Sequence, residues 1–411
     1  MQPITGAISL DETEQDYYAN TATEAQEYDI SYQIKGKINT ASDVDYIKFV
    51  PKTTGEYTFN CISTTNAVTA LYGSNQNTLK SAASSYKCSL TAGQAYYLKT
   101  TGNVKMFNCD INDLTDDVLN KALDGQKIDI VVGGPPCQSY STLGKRQNDE
   151  RATLFMQYKR ILKILQPRAF VFENVTGMLS MNKGNLFKQI QIEFEELDYD
   201  LKYKVLDAVD YGVPQHRERV ILVGFKGKNN FVYPTPTHGD GLKPYVTLKD
   251  AIGDLPVLSS GEENNIYATD ATNEFLKFVR KNSSTCVEEH KAPKNGEHLI
   301  KIMRALKDGE SKDDLPEDIR PKSGYGNTYA KLWWNKPSTT ITRNFACPSS
   351  SRCIHPRDSR AMSIREGARL QSFPDDYKFY GSDGMKRLEI GNAVPPLLSM
   401  AIAKQMLLAL E

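Results

Sequence analysis

The chain has 411 residues and balances 50 Lys and Arg against 50 Asp and Glu, a formal net charge of +0. It is long enough for two or three domains and lacks the global basicity that advertises a nucleic-acid partner. A mean hydropathy of -0.48 and no long apolar run exclude a helical membrane span, while seven cysteines without paired or metal-type spacing exclude a disulfide framework and a Cys/His metal centre.

The opening Met-Gln-Pro-Ile-Thr-Gly has no basic-then-apolar signal segment, so a cytoplasmic location is expected. Charge is unevenly placed: the first hundred residues lean acidic, and Lys- and Arg-bearing segments concentrate after them. Residues 1–104 read as short alternating strands at 29–34, 45–50, 55–62, 67–72 and 94–99. Turn residues at 42–43, 52–55 and 92–94 separate them, an antiparallel β-sandwich pattern. The run Asp43-Val44-Asp45-Tyr46-Ile47-Lys48-Phe49, followed by Thr54-Gly55-Glu56-Tyr57-Thr58-Phe59, resembles the jelly-roll-like modules called pre-peptidase C-terminal domains. Asp43 and Asp45 read as turn carboxylates rather than calcium ligands.

A different kind of sequence follows. Ile128-Asp129-Ile130-Val131-Val132 has the apolar continuity of a buried parallel strand. Gly133-Gly134-Pro135-Pro136 stops it and presents Cys137, then Gln138-Ser139-Tyr140-Ser141, at the strand's carboxyl end, where open α/β sheets bind ligands. A lone cysteine in a tight loop is ordinarily a packed thiol; this framing argues for a nucleophile. A second apolar strand, 169–172, ends in Glu173-Asn174-Val175. Tyr211-Gly212-Val213-Pro214-Gln215-His216-Arg217-Glu218-Arg219 leads into a third at 220–225. A short helix is expected within 246–256. The stretch 259–350 is polar, irregular and Lys-rich. Arg365-Glu366-Gly367-Ala368-Arg369-Leu370-Gln371-Ser372-Phe373-Pro374 and Gly391-Asn392-Ala393-Val394-Pro395-Pro396 precede a final helix at 395–410. Competing structural readings stand beside these. Glu173 also suits a helix cap, Arg217 and Arg219 suit solvated strand-flanking charges, and Asn392 suits a turn.

Taken in order, the Pro136-Cys137, Glu173-Asn174-Val175, Gln215-to-Arg219, Arg365-to-Pro374 and Gly391-Asn392-Ala393-Val394 motifs resemble the cytosine-C5 DNA methyltransferase family over roughly residues 106–411. The resemblance implies a doubly wound, Rossmann-like α/β catalytic domain (105–258 with 351–411), a target recognition domain (259–350) and the sandwich (1–104). It implies methyl transfer from S-adenosylmethionine to C5 of a cytosine flipped out of duplex DNA, in a restriction–modification setting. Cys137 would add to C6, Glu173 would grip the cytosine edge, Arg219 would hold O2 and Arg217 would support it. Asp110, Ile111, Pro136, Leu154, Asn392 and Ala393 would meet the methyl donor. Gln138, Ser141, Thr340 and Arg343 would meet DNA.

One departure stands out. The family's opening strand with a Phe-x-Gly-x-Gly-Gly-like loop, and the acidic strand end after it, have no counterpart here. Thr101-Gly102-Asn103 runs almost directly into Val104-Lys105-Met106-Phe107-Asn108-Cys109-Asp110-Ile111. The resemblance puts that missing strand beside the one ending at Cys137, so an uncovered sheet edge is expected, each buried unpaired group costing about 1–3 kcal/mol. A neighbouring strand of the sandwich, a second chain or water must satisfy it. Poor donor binding by this chain alone follows as an expectation. The alternatives are a catalytically impaired DNA-binding remnant and one half of a split enzyme.

Overall fold

The computed structural model describes residues 4–10, 22–23, 25, 27, 34–36, 44–62, 68–83, 85–101, 109–123, 127–136, 154–281, 283, 285–322, 324 and 326–411. Cys137, Gln138 and Ser141 lie outside these residues, as do Asp43 and the run 104–108. The chain divides into two compact units, Met1–Leu114 and Thr115–Glu411.

The first unit holds β1 (Ile4–Leu10), β2 (Ile34–Gly36), β3 (Val44–Phe49), β4 (Gly55–Ile62), β5 (Val68–Tyr72), β6 (Thr78–Ala83), β7 (Ser85–Leu90) and β8 (Tyr96–Thr101). They form two four-stranded sheets, β2-β1-β4-β7 and β3-β8-β5-β6. Alternate side chains from both sheets meet in one core: Tyr57, Phe59 and Leu90 from the first, Ile47, Phe49, Leu71 and Leu98 from the second. The expected strands at 45–50, 55–62, 67–72 and 94–99 are therefore present. Three others were not expected. β6 has no clear alternation, whereas β1 (Ile4, Ile8, Leu10) and β7 (Tyr86, Cys88, Leu90) each set apolar residues on one face, a period of two that the sequence reading passed over. β1 also pairs parallel with both β2 and β4, so the pairing is not wholly antiparallel as expected.

The second unit begins with α1 (Asp116–Leu123), β9 (Ile130–Gly133), α2 (Leu154–Leu165), β10 (Ala169–Val175), α3 (Asn185–Glu195), β11 (Tyr199–Asp207) and β12 (Glu218–Lys226). It continues with α4 (Leu248–Ile252), α5 (Glu274–Val279), α6 (Glu297–Ala305), β13 (Ala330–Lys331), β14 (Arg352–Ile354), α7 (Ile364–Leu370), α8 (Asp383–Asn392) and α9 (Pro396–Leu410). The main sheet runs β11-β12-β10-β9. β9 and β10 are parallel, while β12 lies antiparallel between β10 and β11. Strand alternation sorts β10 onto two faces. Phe170 and Phe172 pack under α2 and α3 with Tyr158, Phe187 and Phe194. Ala169 and Val171 pack under Leu398, Ile402 and Met406 of α9. The result is a three-layer α/β unit. Gly224 is needed in β12 because a Cβ there would run into the Phe170 ring.

β9 is the last strand of this sheet among the described residues, and Val132 within it is 71% exposed. No strand among the described residues pairs with the other edge of β9. No single helix among the described residues is long and apolar enough to cross a membrane.

A second core unites α4, α5 and α7 with Leu332, Ile341, Phe345 and Met362. Every residue of α7 is buried. Its Arg369 forms a forked pair with Asp375 (2.6 and 2.9 Å) and also binds Asp254. Arg360 forks onto Glu366 (2.7 and 2.8 Å). Burial opposes ionisation of Glu366, but Arg360 beside it holds the carboxyl well below the usual carboxylate range. The Arg365-to-Pro374 run is therefore an ionic core that pins α7 to its neighbours.

Candidate active site

The site is built where β9 and β10 end side by side. Gly133 pairs with Phe172, so Gly134 reaches the level of Glu173. Both glycines are required by close approach. A Cβ on Gly133 would lie 2.7 Å from the Tyr158 ring, and one on Gly134 would lie 2.6 Å from Glu173 Oε2. Asn174 Nδ2 donates to the Pro135 carbonyl at 2.9 Å, tying the turn to β10. The stiff Gly-Gly-Pro-Pro turn is thus fixed against Glu173 up to Pro136, the residue before Cys137.

Across the sheet, Glu173 faces Ile221 and Val175 faces Arg219, so Glu173 and Arg219 are diagonal neighbours on one face. Arg219 Nε donates to Glu173 Oε1 at 2.7 Å, with both side chains largely buried. Burial pushes the Glu173 carboxyl above its ordinary pKa, although Arg219 and Arg217 pull the other way. Burial also lowers the Arg219 pKa, opposed by Glu173. The carboxyl is a group that can carry a proton next to a fixed cation, the combination needed to grip a pyrimidine edge.

Arg217 is 1% exposed. Its guanidinium donates to the Ile341 carbonyl at 3.1 Å and the Gly391 carbonyl at 2.8 Å, and its Nε has no partner. Burial, reinforced by repulsion from Arg219, brings its pKa down to about 9. Arg217 therefore acts as a clamp joining three distant segments, and neither strand-flanking arginine is a solvated surface charge. Two buried glutamines strengthen the clamp. Gln215 Oε1 accepts from Ile341 N at 2.8 Å, and Gln215 Nε2 donates to the Leu370 carbonyl at 2.9 Å and to Gln371 Oε1 at 3.1 Å. Gln371 Nε2 donates to the Ile390 carbonyl at 2.7 Å. Thr340 Oγ1 donates to the His216 carbonyl at 2.7 Å, so its hydroxyl holds the 338–341 segment in place. Arg343 is exposed, and its backbone packs so closely on Gly391 that a Cβ there would strike it. His216 pairs with Asp207 at 2.9 Å and faces solvent.

Sequence reasoning did not single out Gly134, Asn174, Gln215 or Gln371. All four lie inside the quoted motifs. Their roles depend on which backbone atoms come near, which a motif does not carry.

The donor-side residues are less assembled. Asp110 and Ile111 belong to the first unit, where Asp110 Oδ1 accepts from the backbone and side chain of Asn112 at 2.8 Å. Leu154 is half-buried at the start of α2, Pro136 and Asn392 are exposed, and Ala393 is half-buried at the end of α8. Next to β9, where a donor's nucleoside would need a wall, Val132 stands open to solvent. Within the second unit the donor-side residues are Pro136, Leu154, Asn392 and Ala393, which offer one polar side chain, Asn392, a poor fit to the charges of S-adenosylmethionine.

Comparison with known proteins gives a consistent answer. The profile of the C-5 cytosine-specific DNA methylase family matches residues 72–408. The Type II methyltransferase M1.HphI of Haemophilus parahaemolyticus is 36% identical over 302 residues, covering 72% of this chain and 73% of that protein. M.DdeI of Desulfomicrobium norvegicum, also a Type II methyltransferase, is 35% identical over 342 residues, covering 77% and 80%. Among solved structures, an E. coli prophage-encoded protein assigned as a DNA modification methyltransferase matches with a TM-score of 0.59. It is 24% identical and covers 74% of this chain and 85% of that one, a likeness of fold.

Proposed function

The chain belongs to the C-5 cytosine-specific DNA methylase family, and from that premise we propose that Cys137, Glu173 and Arg219 attack and hold a cytosine flipped from duplex DNA. It is a DNA (cytosine-5-)-methyltransferase of the restriction–modification type. The observation that carries the residue assignment is the Arg219–Glu173 pair, set beside the turn that leads into Cys137.

The chemistry follows from the groups. Carbon 5 of cytosine is not nucleophilic. The Cys137 thiolate forms an S–C6 bond, and the C5=C6 electron pair moves onto C5. Glu173, whose carboxyl is shifted by burial toward its protonated form against the pull of Arg219 and Arg217, hands a proton to N3 and offsets the charge that the addition creates. Arg219 holds the exocyclic carbonyl oxygen O2 with a fixed positive charge. Carbon 5 is now enamine-like and uses that pair to bond an electrophile, a proton from solvent when no methyl donor is bound. Loss of the original C5 proton to water then returns its C–H pair to C5=C6, the S–C6 bond breaks with its pair leaving on the Cys137 sulfur, and the N3 proton returns to Glu173. Arg217 and Gln215 position Arg219 by fixing the start of β12. Thr340 and Arg343, with Gln138 and Ser141, form the DNA-facing side of this reading. We divide the chain into a sandwich at 1–104, a catalytic domain at 105–258 and 351–411, and a recognition domain at 259–350. A cytoplasmic enzyme suits a DNA substrate.

This machinery can be tested without a methyl donor. Addition at C6 lets C5 take up a solvent proton and lose its original one, so DNA carrying [5-³H]cytosine releases tritium to water. The unsubstituted chain is expected to release tritium and Cys137→Ser to release none; equal release by the two would refute the thiol assignment.

The family implies S-adenosylmethionine as the methyl donor. Supported by the open β9 edge and the exposed Val132, we read this chain as binding the donor weakly by itself and depending on a second chain for the missing strand and glycine loop. Calorimetric titration is expected to give no micromolar binding of S-adenosylmethionine by the isolated chain, and a micromolar Kd would overturn that reading.

A further inference from the structure

On the recognition side, two cavities of about 340 and 380 Å³ adjoin and share Pro293 and Arg387 as walls. Arg343 lines the first. Lys291, Lys294 and Asp383 line the second. The two make one trough with four cations against a single carboxylate.

Three backbone-anchored segments supply the cations. The Lys291–Lys294 loop is held by Ala292 N to the Glu262 carbonyl at 2.8 Å and Asn295 N to Ser260 Oγ at 2.7 Å. Arg343 sits on the backbone of Gly391. Arg387 rides on α8, whose first turn is capped by Ser382. Little neutralises them locally. Arg387 and Asp383 are 4.0 Å apart, and Lys291 lies 3.7 Å from the exposed Glu263. No ion pair is recorded for Arg343 or Lys294 among the described residues.

We propose that this trough seats the phosphodiester backbone of duplex DNA. The assignment rests on the methyltransferase reading and extends it to Arg387, Lys291 and Lys294, which the reaction itself does not use. Charge complementarity selects a polyanion. A single small anion needs converging, buried donors, whereas these cations come from separate segments and are shared out over two adjoining cavities, with Arg343 in the first, Lys291 and Lys294 in the second and Arg387 between them.

Anisotropy of a labelled mixed-sequence duplex, titrated with the full chain over a series of KCl concentrations, tests this. Arg387→Ala and Lys294→Ala are each expected to lower the slope of log K against log salt by about 0.9, and the double variant by about twice that. Lys228→Ala, on an exposed turn outside the trough, is expected to leave the slope unchanged. A double variant with the slope and affinity of the unsubstituted chain overturns the proposal. So does displacement of the duplex by inorganic pyrophosphate at constant ionic strength with no slope change in the double variant, which would mark a small-anion site. No duplex binding by the unsubstituted chain would sink the methyltransferase reading itself, so the two failures are distinguishable.

Discussion

Glu173→Gln is expected to slow donor-independent tritium release by about 10²–10⁴-fold, the range ascribed to a positioned proton donor. An amide keeps a hydrogen-bonding edge but has no proton to hand to N3. The pH profile separates this from mere loss of shape. Burial raises the Glu173 pKa, so the carboxyl stays protonated to higher pH than an ordinary one. The thiolate fraction rises with pH while the protonated Glu173 fraction falls, so the unsubstituted chain should pass through a maximum. The alkaline decline belongs to Glu173 and should vanish in Glu173→Gln, leaving a rate that only climbs through the thiol's titration. Gly134→Ala should lower the same rate with an unchanged urea midpoint, because its methyl would sit 2.6 Å from Glu173 Oε2 and push the carboxylate aside. A Glu173→Gln profile that keeps its alkaline limb would remove Glu173 as the proton source.

Arg369→Met is expected to destabilise the second unit by about 3–5 kcal/mol, the penalty for breaking a buried ion pair from one side. Arg369, Asp254 and Asp375 are all buried, and Arg369 also donates to the Ala251 carbonyl at 2.9 Å. The methionine would leave the Asp375 carboxylate with the Tyr267 hydroxyl at 2.8 Å and a looser contact to Arg365 at 3.8 Å, and the Asp254 carboxylate with Arg280 at 3.0 Å. The triple variant, Arg369→Met with Asp254→Leu and Asp375→Leu, is not expected to recover the loss, because Arg280 and the buried Arg365 would then lose their carboxylate partners. Urea unfolding would show the difference as a lowered midpoint for the single variant. A single variant as stable as the unsubstituted chain would show that the network carries little energy.

These two effects differ in how far they were legible. Cys137, Glu173 and Arg219 stood out because catalysis demands particular residue types at strand ends, and the order of motifs along the chain records that demand. The buried arginines of α7 did not stand out as core, because charge in a sequence reads as surface until its partners are known. Asp254 precedes Arg369 by 115 residues. Likewise β6 escaped notice because its residues give no clear alternation, and only pairing with a neighbouring strand fixes it as sheet.

The sequence alone determined the family, and it supplied the proposed nucleophile, the proposed acid–cation pair and the departure at the glycine-rich loop, since each depends on residue identity in local order. Tertiary structure decided that Arg217 is a clamp, that Gly134 makes room for a carboxylate, that β9 ends the described sheet, and that four cations share one trough. Those facts depend on which atoms meet across long separations. Contact is set by packing, and packing is not written in any one segment of the chain.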